Sequence, residues 1–433
     1  MTDRRSAALY ARALRVMPGG CSRNAVLRKP HPLYAARGAG CYLTDIDGVQ
    51  RIDFSNNMGS LIHGHAYPAV MDAVSEQLQL GTAYMMATEA EVRYAEYLCE
   101  RVPGFEKIRF VNSGTEAVMC ALKAARAFTG RPMIAKVEGA YHGLYDYAEV
   151  SQTAKPSNWG DINQPRSVPV AHGTPASALD EVVVIPFNDP DHAIAVLNRH
   201  ADKLACVLID LVPHRVGILP ASPEFVAALW KWSRAKGVLL VCDEVITFRT
   251  TYTGAQGNYD VQPDLTALGK IIGGGFPVGA LAGRSEVMDV LNPLTDKVLV
   301  PHSGTFSANP VTMVAGRIAM EQFDEQAVVR LNRLGDLART HIQEAIRKAD
   351  VPVCVTGIGS MFRIHFKAQP PRNYREAFAT PEEDKLRQAL LNHLLDNGIL
   401  LIETCSGMLS TAMTEKEIDA LGNAVLGGLR AIH

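Results

Sequence analysis

The chain has 433 residues, of which 47% are hydrophobic and 20% are charged, and its formal net charge is −2. This balance is typical of a globular protein with a sizeable core, and it provides no basic field for a nucleic-acid partner. No stretch approaches the roughly eighteen consecutive apolar residues of a membrane span, and the eight cysteines form no C-x-x-C pair. We therefore expect a reduced, cytoplasmic protein without a membrane span, a nucleic-acid partner or a metal site.

The first segment predicts a helix followed by a hairpin. MTDRRSAALYARALRVMPGG has basic residues but no apolar core before a cleavage site, which favours an amphipathic helix over a leader peptide. The turn-like DIDG at Asp45 to Gly48 separates CYLT from RIDF and predicts a β-hairpin. We expect residues 1–54 to join a small domain formed with the C-terminal part of the chain.

Strand-like and helix-like segments alternate through residues 55–310, which we assign to a large domain. This is the pattern of a parallel sheet covered by helices. The run from residue 148 to residue 181 is rich in Pro, Ser, Asn and Gly and predicts a long surface excursion near the active face. Six strands are expected, at Lys107 to Val111, Met133 to Val137, Val182 to Pro186, Cys206 to Ile209, Val238 to Cys242 and Ala280 to Ala282.

The pattern changes after Pro310. Long helices are expected at Val311 to Phe323 and at Gln326 to Ala349, followed by the more strand-rich TGIGSMFRIHF and TCSGMLSTAM. Residues 311–433 therefore predict a smaller α+β domain.

An anion site is suggested where FVNSGTEAV runs from a strand into a helix. Ser113 and Thr115 supply hydroxyls at the helix start, Gly114 allows close approach, and free N–H groups favour an anion. The signal is weak alone, because the cap of any helix uses the same residues. Tyr141, in YHG after another strand, would bring a ring for stacking to the same edge. A partly buried core tyrosine and, for His142, a satisfied loop histidine are the alternatives.

Asp243 and Lys270 form the second suggestive pair. Asp243 follows the apolar run that begins at Val238, at the carboxyl end of a strand, where open α/β sheets bind ligands. Lys270 lies among small and apolar residues that desolvate its ammonium group, which lowers a lysine pKa and suits Schiff-base chemistry. Most charged residues are merely solvated, so a turn-capping Asp243 and a surface Lys270 are the alternative.

Together these segments resemble the fold type I enzymes that use pyridoxal phosphate (PLP), specifically the class III aminotransferases and their glutamate-1-semialdehyde aminomutase branch. The resemblance covers essentially the whole chain. It rests on SGTEA, YHG, DEV with the lysine after LTALGK, IGGGFPVGA, and HSGTFSANP at His302 to Pro310. It implies an α/β fold, with a mostly parallel seven-stranded sheet in the large domain.

The resemblance also implies the roles of individual residues. Lys270 would hold PLP as an internal aldimine and move a proton, while Asp243 would pair with the protonated pyridine nitrogen. Thr305 would reach the phosphate from the neighbouring subunit, which implies a homodimer. The remaining cofactor-binding residues would be Ser113, Gly114 and Thr115 at the phosphate, Tyr141 with His142 beside it on one ring face, and Val245 on the other.

Two arginines are candidates for substrate recognition. GGCSRNAV resembles a segment of β-phenylalanine-type transaminases in which an arginine binds the substrate carboxylate, and Arg23 matches it. The C-terminal arginine expected in those enzymes falls on Thr404. Class III enzymes usually carry Glu-Pro after the strand that precedes the DEV strand. In this chain the corresponding segment reads IDLVPHRVG and lacks Glu-Pro. Arg215 could replace the missing arginine, His214 could contact ring or substrate, or this loop could simply be rebuilt.

Three functions remain open at this point. The first is a ping-pong aminotransferase that moves nitrogen from a β-amino acid or ω-amine to a keto acid acceptor. The second is an aminomutase or racemase that uses the same Lys270, and the third is a catalytically weakened binding protein. Asn57, Met58 and Tyr84 are further candidates to line the substrate pocket.

Overall fold

The computed structural model describes residues 4–432. No helix within this range is long and apolar enough to cross a membrane. The α-helices are α1 Arg4–Ala13, α2 Asn56–Gly59, α3 Pro68–Leu80, α4 Glu89–Arg101, α5 Gly114–Thr129, α6 Asp146–Glu149, α7 Ala176–Asp180, α8 Pro190–Asn198, α9 Pro223–Lys236, α10 Ser285–Met288, α11 Pro310–Gln322, α12 Glu325–Ala349, α13 Tyr374–Ala377, α14 Pro381–Asp396 and α15 Glu415–Ile432.

The strands of the described range form four sheets. The largest has seven strands in the order β4-β12-β11-β10-β9-β5-β8, and the others are β1-β2-β3-β15, β13-β14-β16 and β6-β7. The strands are β1 Ala35–Ala39, β2 Tyr42–Asp45, β3 Gln50–Asp53, β4 Lys107–Val111, β5 Met133–Val137, β6 Gly160–Asp161, β7 Gln164–Pro165, β8 Val182–Ile185, β9 Leu204–Ile209, β10 Leu239–Asp243, β11 Leu265–Gly269, β12 Gly279–Gly283, β13 Cys354–Thr356, β14 Met361–His365, β15 Ile399–Leu400 and β16 Ser406–Met408.

The seven-stranded sheet is parallel except for β12, which runs antiparallel to both of its neighbours. Its central strands β9 and β10 are buried along their whole length and are apolar except for Asp243 at the end of β10, as expected for strands buried on both faces. Side chains alternate between two cores: Leu208 and Val241 pack on one face, and Val207 and Leu240 pack on the other. The carboxyl ends of the parallel strands therefore lie at one edge of a sheet that is packed on both faces.

The expected α/β fold with this mostly parallel sheet is confirmed, and all six expected strands exist to within two residues at each end. The seventh strand, β11, was not among the expected strands, although the small and apolar residues around Lys270 had been noted. The two expected helices after Pro310 and the hairpin of β2 and β3 are also present.

The expected surface excursion between residues 148 and 181 was wrong for its first part. Ser151 and Ala154 are fully buried, and a buried Lys136 on β5 donates from Nζ to the carbonyl oxygen of Val150 at 2.6 Å. Arg375 also binds the segment through the carbonyl oxygen of Gly160 at 2.8 Å. The excursion is thus anchored to the rest of the molecule at both of these points.

The two ends of the chain share one sheet. Strand β15 pairs in parallel with β3, with Ile399 opposite Ile52 and Leu400 opposite Asp53. This pairing supports the assignment of residues 1–54 and 311–433 to one small domain. The boundaries at residues 54 and 310 remain a prediction.

Candidate active site

A cavity of about 550 Å³ opens at the carboxyl edge of the seven-stranded sheet. Its volume lies within the usual range for small-molecule sites. Ten of the residues singled out in the sequence line it: Arg23, Asn57, Ser113, Gly114, Thr115, Tyr141, His142, Asp243, Val245 and Lys270. Residues separated by almost 250 positions in the chain therefore face one space, because their strands end at the same edge.

The amino end of α5 forms one wall of the cavity. Ser113 caps the helix, with its hydroxyl accepting from the backbone N–H of Glu116 at 3.1 Å. The first backbone bond of the helix runs from the N–H of Ala117 to the carbonyl of Ser113 at 3.0 Å, so the N–H groups of Gly114 and Thr115 precede it. Unpaired N–H groups at a helix start bind anions well.

Asp243 lies at the end of β10, buried beside His142. Its Oδ2 is 2.7 Å from Nδ1 of His142, and its Oδ1 accepts from the N–H of Val245 at 3.0 Å. Burial lowers the pKa of His142, although the hydrogen bond to Asp243 opposes that effect. The Nε2 atom of His142 is buried with no hydrogen-bond partner among the described residues. His142 thus fixes the position of the carboxylate.

Lys270 directly follows β11 and has a backbone φ of 51°, in the left-handed region that β-carbon-bearing residues rarely adopt. Burial lowers the pKa of its ammonium group, while the nearby carboxyls of Asp243 and Asp210 raise it. A strained backbone and a partly desolvated amine at a cavity edge are typical of functional positions.

Val245 approaches α5 closely because Gly114 has no side chain. A β-carbon on Gly114 would lie 2.8 Å from Cγ1 of Val245. Tyr141 faces the cavity from another side and is 39% exposed. Both side chains therefore border the cavity that a flat ring could enter.

Arg215 does not line this cavity. Its guanidinium lies over the ring of Tyr141, 5.3 Å from the ring centroid, and its side chain is exposed. His214 is turned towards Thr404, with Nε2 3.5 Å from the hydroxyl oxygen, and burial together with nearby cations lowers its pKa to about 3. Within the segment IDLVPHRVG, Arg215 therefore lies against Tyr141 and His214 is directed towards Thr404.

Arg23 lies at the mouth of the cavity and donates from Nη1 to Oδ1 of Asn57 at 2.7 Å. Arg23, Asn57 and Gly275 also line a neighbouring cavity of about 740 Å³, so the two spaces adjoin. Met58 lines only this second cavity. Tyr84 lines neither of them and is exposed.

Thr305 is exposed and does not line the cavity within the single chain. Sequence reasoning also missed several residues that do. Asn112 lies there because it joins β4 to the start of α5, whereas Phe276 and Pro277 lie in the segment that leads from Lys270 into the antiparallel β12. The return of β12 could not be anticipated without β11. The signal for Asn112 was the segment FVNSGTEAV, and that for Phe276 and Pro277 was the motif IGGGFPVGA after the lysine.

Comparisons with known proteins give the family. Residues 24–420 match the model of aminotransferase class III. The chain belongs to the class III aminotransferase family. A glutamate-1-semialdehyde 2,1-aminomutase of Methanothermobacter thermautotrophicus is 38% identical over 98% of this chain and all of its own length.

Two solved structures extend the comparison. An omega-transaminase from Sphaerobacter thermophilus is 47% identical, with a TM-score of 0.96 and coverage of 99% of this chain and 97% of its own. A beta-phenylalanine aminotransferase from Variovorax paradoxus is 33% identical, with a TM-score of 0.88 and coverage of 98% and 93%. The protein is therefore a PLP-dependent enzyme with the fold type I architecture.

The cavity suits this cofactor. It combines a helix start without side-chain obstruction at Gly114, a half-buried amine at Lys270 and a buried carboxylate at Asp243. These groups match the phosphate, the aldehyde and the ring nitrogen of PLP in chemical type. No group of three or more His, Cys, Asp or Glu side chains suited to a metal occurs among residues 4–432.

Proposed function

We propose that this enzyme transfers the amino group of a small amino acid or amine to a keto acid, with Lys270 as the covalent anchor of PLP. The observation that carries the proposal is the convergence of Lys270, Asp243 and the start of α5 on one cavity. The high similarity to an omega-transaminase supports intermolecular transfer.

The chain's own residues have distinct parts in this reaction. When bound, PLP supplies an electron sink for the carbanion formed at the substrate carbon. Asp243, held by His142, would present its carboxyl group to the ring nitrogen. The N–H groups of Gly114 and Thr115 would bind the phosphate. Lys270, with its lowered pKa, holds and moves the proton at its Nζ.

An aminomutase is the second candidate, and the curated relatives favour it. The aminomutase of Methanothermobacter thermautotrophicus is 38% identical over 98% of this chain. Such a reaction would use the same Lys270 and the same cofactor contacts, so the geometry of the cofactor site is equally suited to both. The transaminase and aminomutase reactions differ in whether a keto product leaves the enzyme.

We propose Arg23 as the partner of the substrate carboxylate. It lies at the mouth of the cofactor cavity, its side chain is exposed, and its only described hydrogen bond is to the amide oxygen of Asn57. A guanidinium without a carboxylate partner can bind a substrate acid in a bidentate manner. Arg215, stacked on Tyr141 at the rim, is the second candidate for this role.

We propose a homodimer in which Thr305 reaches the phosphate of the neighbouring subunit. Thr305 is exposed in the single chain, and the adjacent Phe306 is 60% exposed. Met85 and Met86 are also almost fully exposed. Large apolar side chains in such positions are typical of surfaces that a partner covers.

One spectroscopic experiment separates the two reactions. The visible spectrum of the holoenzyme is followed on adding an amino donor alone, and then on adding pyruvate or 2-oxoglutarate. Bleaching followed by recovery, with release of the keto product, supports the transaminase. Conversion of one amino compound without an acceptor supports the aminomutase.

Lys270→Ala is the matched control for both reactions. The wild type should retain cofactor covalently after borohydride reduction, whereas the variant should retain none. Covalent labelling of the variant at the wild-type level would contradict the assignment of Lys270.

A further inference from the structure

Asp210 is a buried carboxyl that faces the cofactor cavity and has no part in the function proposed above. It directly follows β9 and is only 5% exposed. Its Oδ1 accepts from the N–H of Val212 at 2.9 Å. No described group donates to its Oδ2. One oxygen of this carboxyl is therefore free to interact with a ligand.

Asp243 is its immediate neighbour and is bonded differently. Both oxygens of Asp243 have donors, from His142 and from the backbone of Val245. Strands β9 and β10 are adjacent, with Ile209 opposite Cys242, so the two carboxyls stand side by side at the sheet edge. Two adjacent buried carboxyls with few cations around them do not both ionise readily.

The surroundings of Asp210 favour its protonated form. Burial raises the pKa of Asp210 well above its usual range, and the negative charges of Asp243 and Glu244 raise it further. The N–H of Val212 and the ammonium of Lys270 act in the opposite direction and do not outweigh burial. A protonated carboxyl has one O–H donor, in contrast to an acceptor-only carboxylate.

The order of the strands indicates which part of the cofactor lies near Asp210. Along the sheet edge the order is the start of α5 after β4, then Lys270 after β11, Asp243 on β10 and Asp210 after β9. In PLP the phosphate arm and the ring hydroxyl lie on opposite sides of the line from the ring nitrogen to the aldehyde carbon. A ring with its phosphate at α5 therefore turns its hydroxyl oxygen towards β9.

We propose that Asp210 binds PLP as a neutral carboxylic acid and donates a hydrogen bond from Oδ2 to the ring hydroxyl oxygen. The proposal rests on the placement of PLP by α5, Asp243 and Lys270. A donor at this position stabilises negative charge on the ring oxygen, whereas a carboxylate would repel it. Asp210 is thus a cofactor-binding residue that complements Asp243, since one faces the ring hydroxyl and the other faces the ring nitrogen.

The test is a chemical double-mutant cycle on the apoenzyme. Equilibrium dialysis measures the Kd of PLP and of the analogue in which hydrogen replaces the ring hydroxyl. Both ligands are compared in the wild type, in Asp210→Asn and in Asp210→Leu. Asparagine keeps a donor without a charge, and leucine removes the donor at similar size. The intrinsic chemistry of the analogue cancels when ratios of Kd are compared.

The ratio of the Kd of the analogue to the Kd of PLP should be about tenfold larger in the wild type and in Asp210→Asn than in Asp210→Leu, the effect of one hydrogen bond to a charged acceptor. Asp210→Leu should also bind PLP about tenfold more weakly than the wild type. Thermal unfolding of each apoenzyme identifies a variant that fails to fold. If Asp210→Leu fails to fold, the comparison of Asp210→Asn with the wild type decides whether an uncharged donor is sufficient.

Two results would overturn the proposal. Asp210→Asn that binds PLP as weakly as Asp210→Leu would mean that the charge of Asp210 is needed. Equal ratios of the two Kd values in all three proteins would mean that Asp210 does not contact the ring oxygen. No substrate is present, so the choice between transaminase and aminomutase does not affect the outcome, and failure of the wild type to bind PLP would indicate an error in the cofactor site itself.

Discussion

Lys136 offers a quantitative test of the electrostatics beneath the active site. This fully buried lysine donates from Nζ to the carbonyl oxygens of Ala140 at 3.0 Å and Val150 at 2.6 Å. Burial lowers its pKa from 10.5 to about 7, with a further lowering from Arg215, while Glu138 and Glu149 raise it. Because Ala140 precedes Tyr141, the lysine supports the turn that carries the cavity's aromatic ring.

The sign of the pH effect follows from these two values. Between pH 7 and pH 10.5 the unfolded chain holds a proton on Lys136 that the folded protein lacks. Stability therefore rises with pH across this window, by about 1.4 kcal/mol per pH unit and by up to about 5 kcal/mol in total. Lys136→Met keeps the aliphatic stem and removes this contribution to the slope.

Proton uptake on unfolding measures the effect directly. At pH 8.5 the wild type should take up about one proton more than Lys136→Met when urea unfolds it in a pH-stat. Lys155→Met, at an exposed position, controls for the loss of a lysine and should match the wild type. Equal uptake by the wild type and Lys136→Met would show that Lys136 is charged in the folded protein and would refute the reasoning.

Three further predictions concern other parts of the molecule. If Arg215 anchors a carboxylate, Arg215→Ala should raise KM for acidic donors far more than for neutral amines, and equal effects in steady-state kinetics would remove the idea. Gly279→Ala would place a β-carbon 2.0 Å from the carbonyl oxygen of Ser113. Because this displaces the start of α5, the variant apoenzyme should bind PLP at least about tenfold more weakly in equilibrium dialysis. An unchanged Kd would contradict this prediction. Asp264 is buried, accepts from the N–H of Leu240 at 2.8 Å and pairs with Arg234 and Arg284. Asp264→Asn should therefore lower the free energy of unfolding by about 3 kcal/mol. An unchanged midpoint of urea unfolding would argue against this prediction.

The large sheet was largely predictable because its strands are short apolar runs between helices. Strand β11 was missed although LTALG is apolar, since the run is short and ends at Lys270, which drew a chemical interpretation instead. Without β11 the antiparallel return of β12 was not foreseeable, and Phe276 was not placed in the cavity. Strand pairing is non-local, so the residues of one strand do not determine its neighbours.

The candidate site was predictable where a residue type and its position in a βα unit act together, as at Ser113 and Asp243. Loop residues were less predictable. Arg215 was one candidate for the partner of the substrate carboxylate, but it lies over the ring of Tyr141 and does not line the cavity. The partner of His142 was also unforeseen, because Asp243 lies 101 residues further along the chain.

The pairing of β15 with β3 has a consequence for biosynthesis. The edge of β3 receives its partner only when residues 399 and 400 have been made, almost 350 residues after β3 itself. Until then a nascent chain exposes an unpaired strand edge, which other chains can pair with. Truncation before residue 399 should leave that edge permanently open, and the resulting fragment should aggregate during synthesis even though the whole seven-stranded sheet is present.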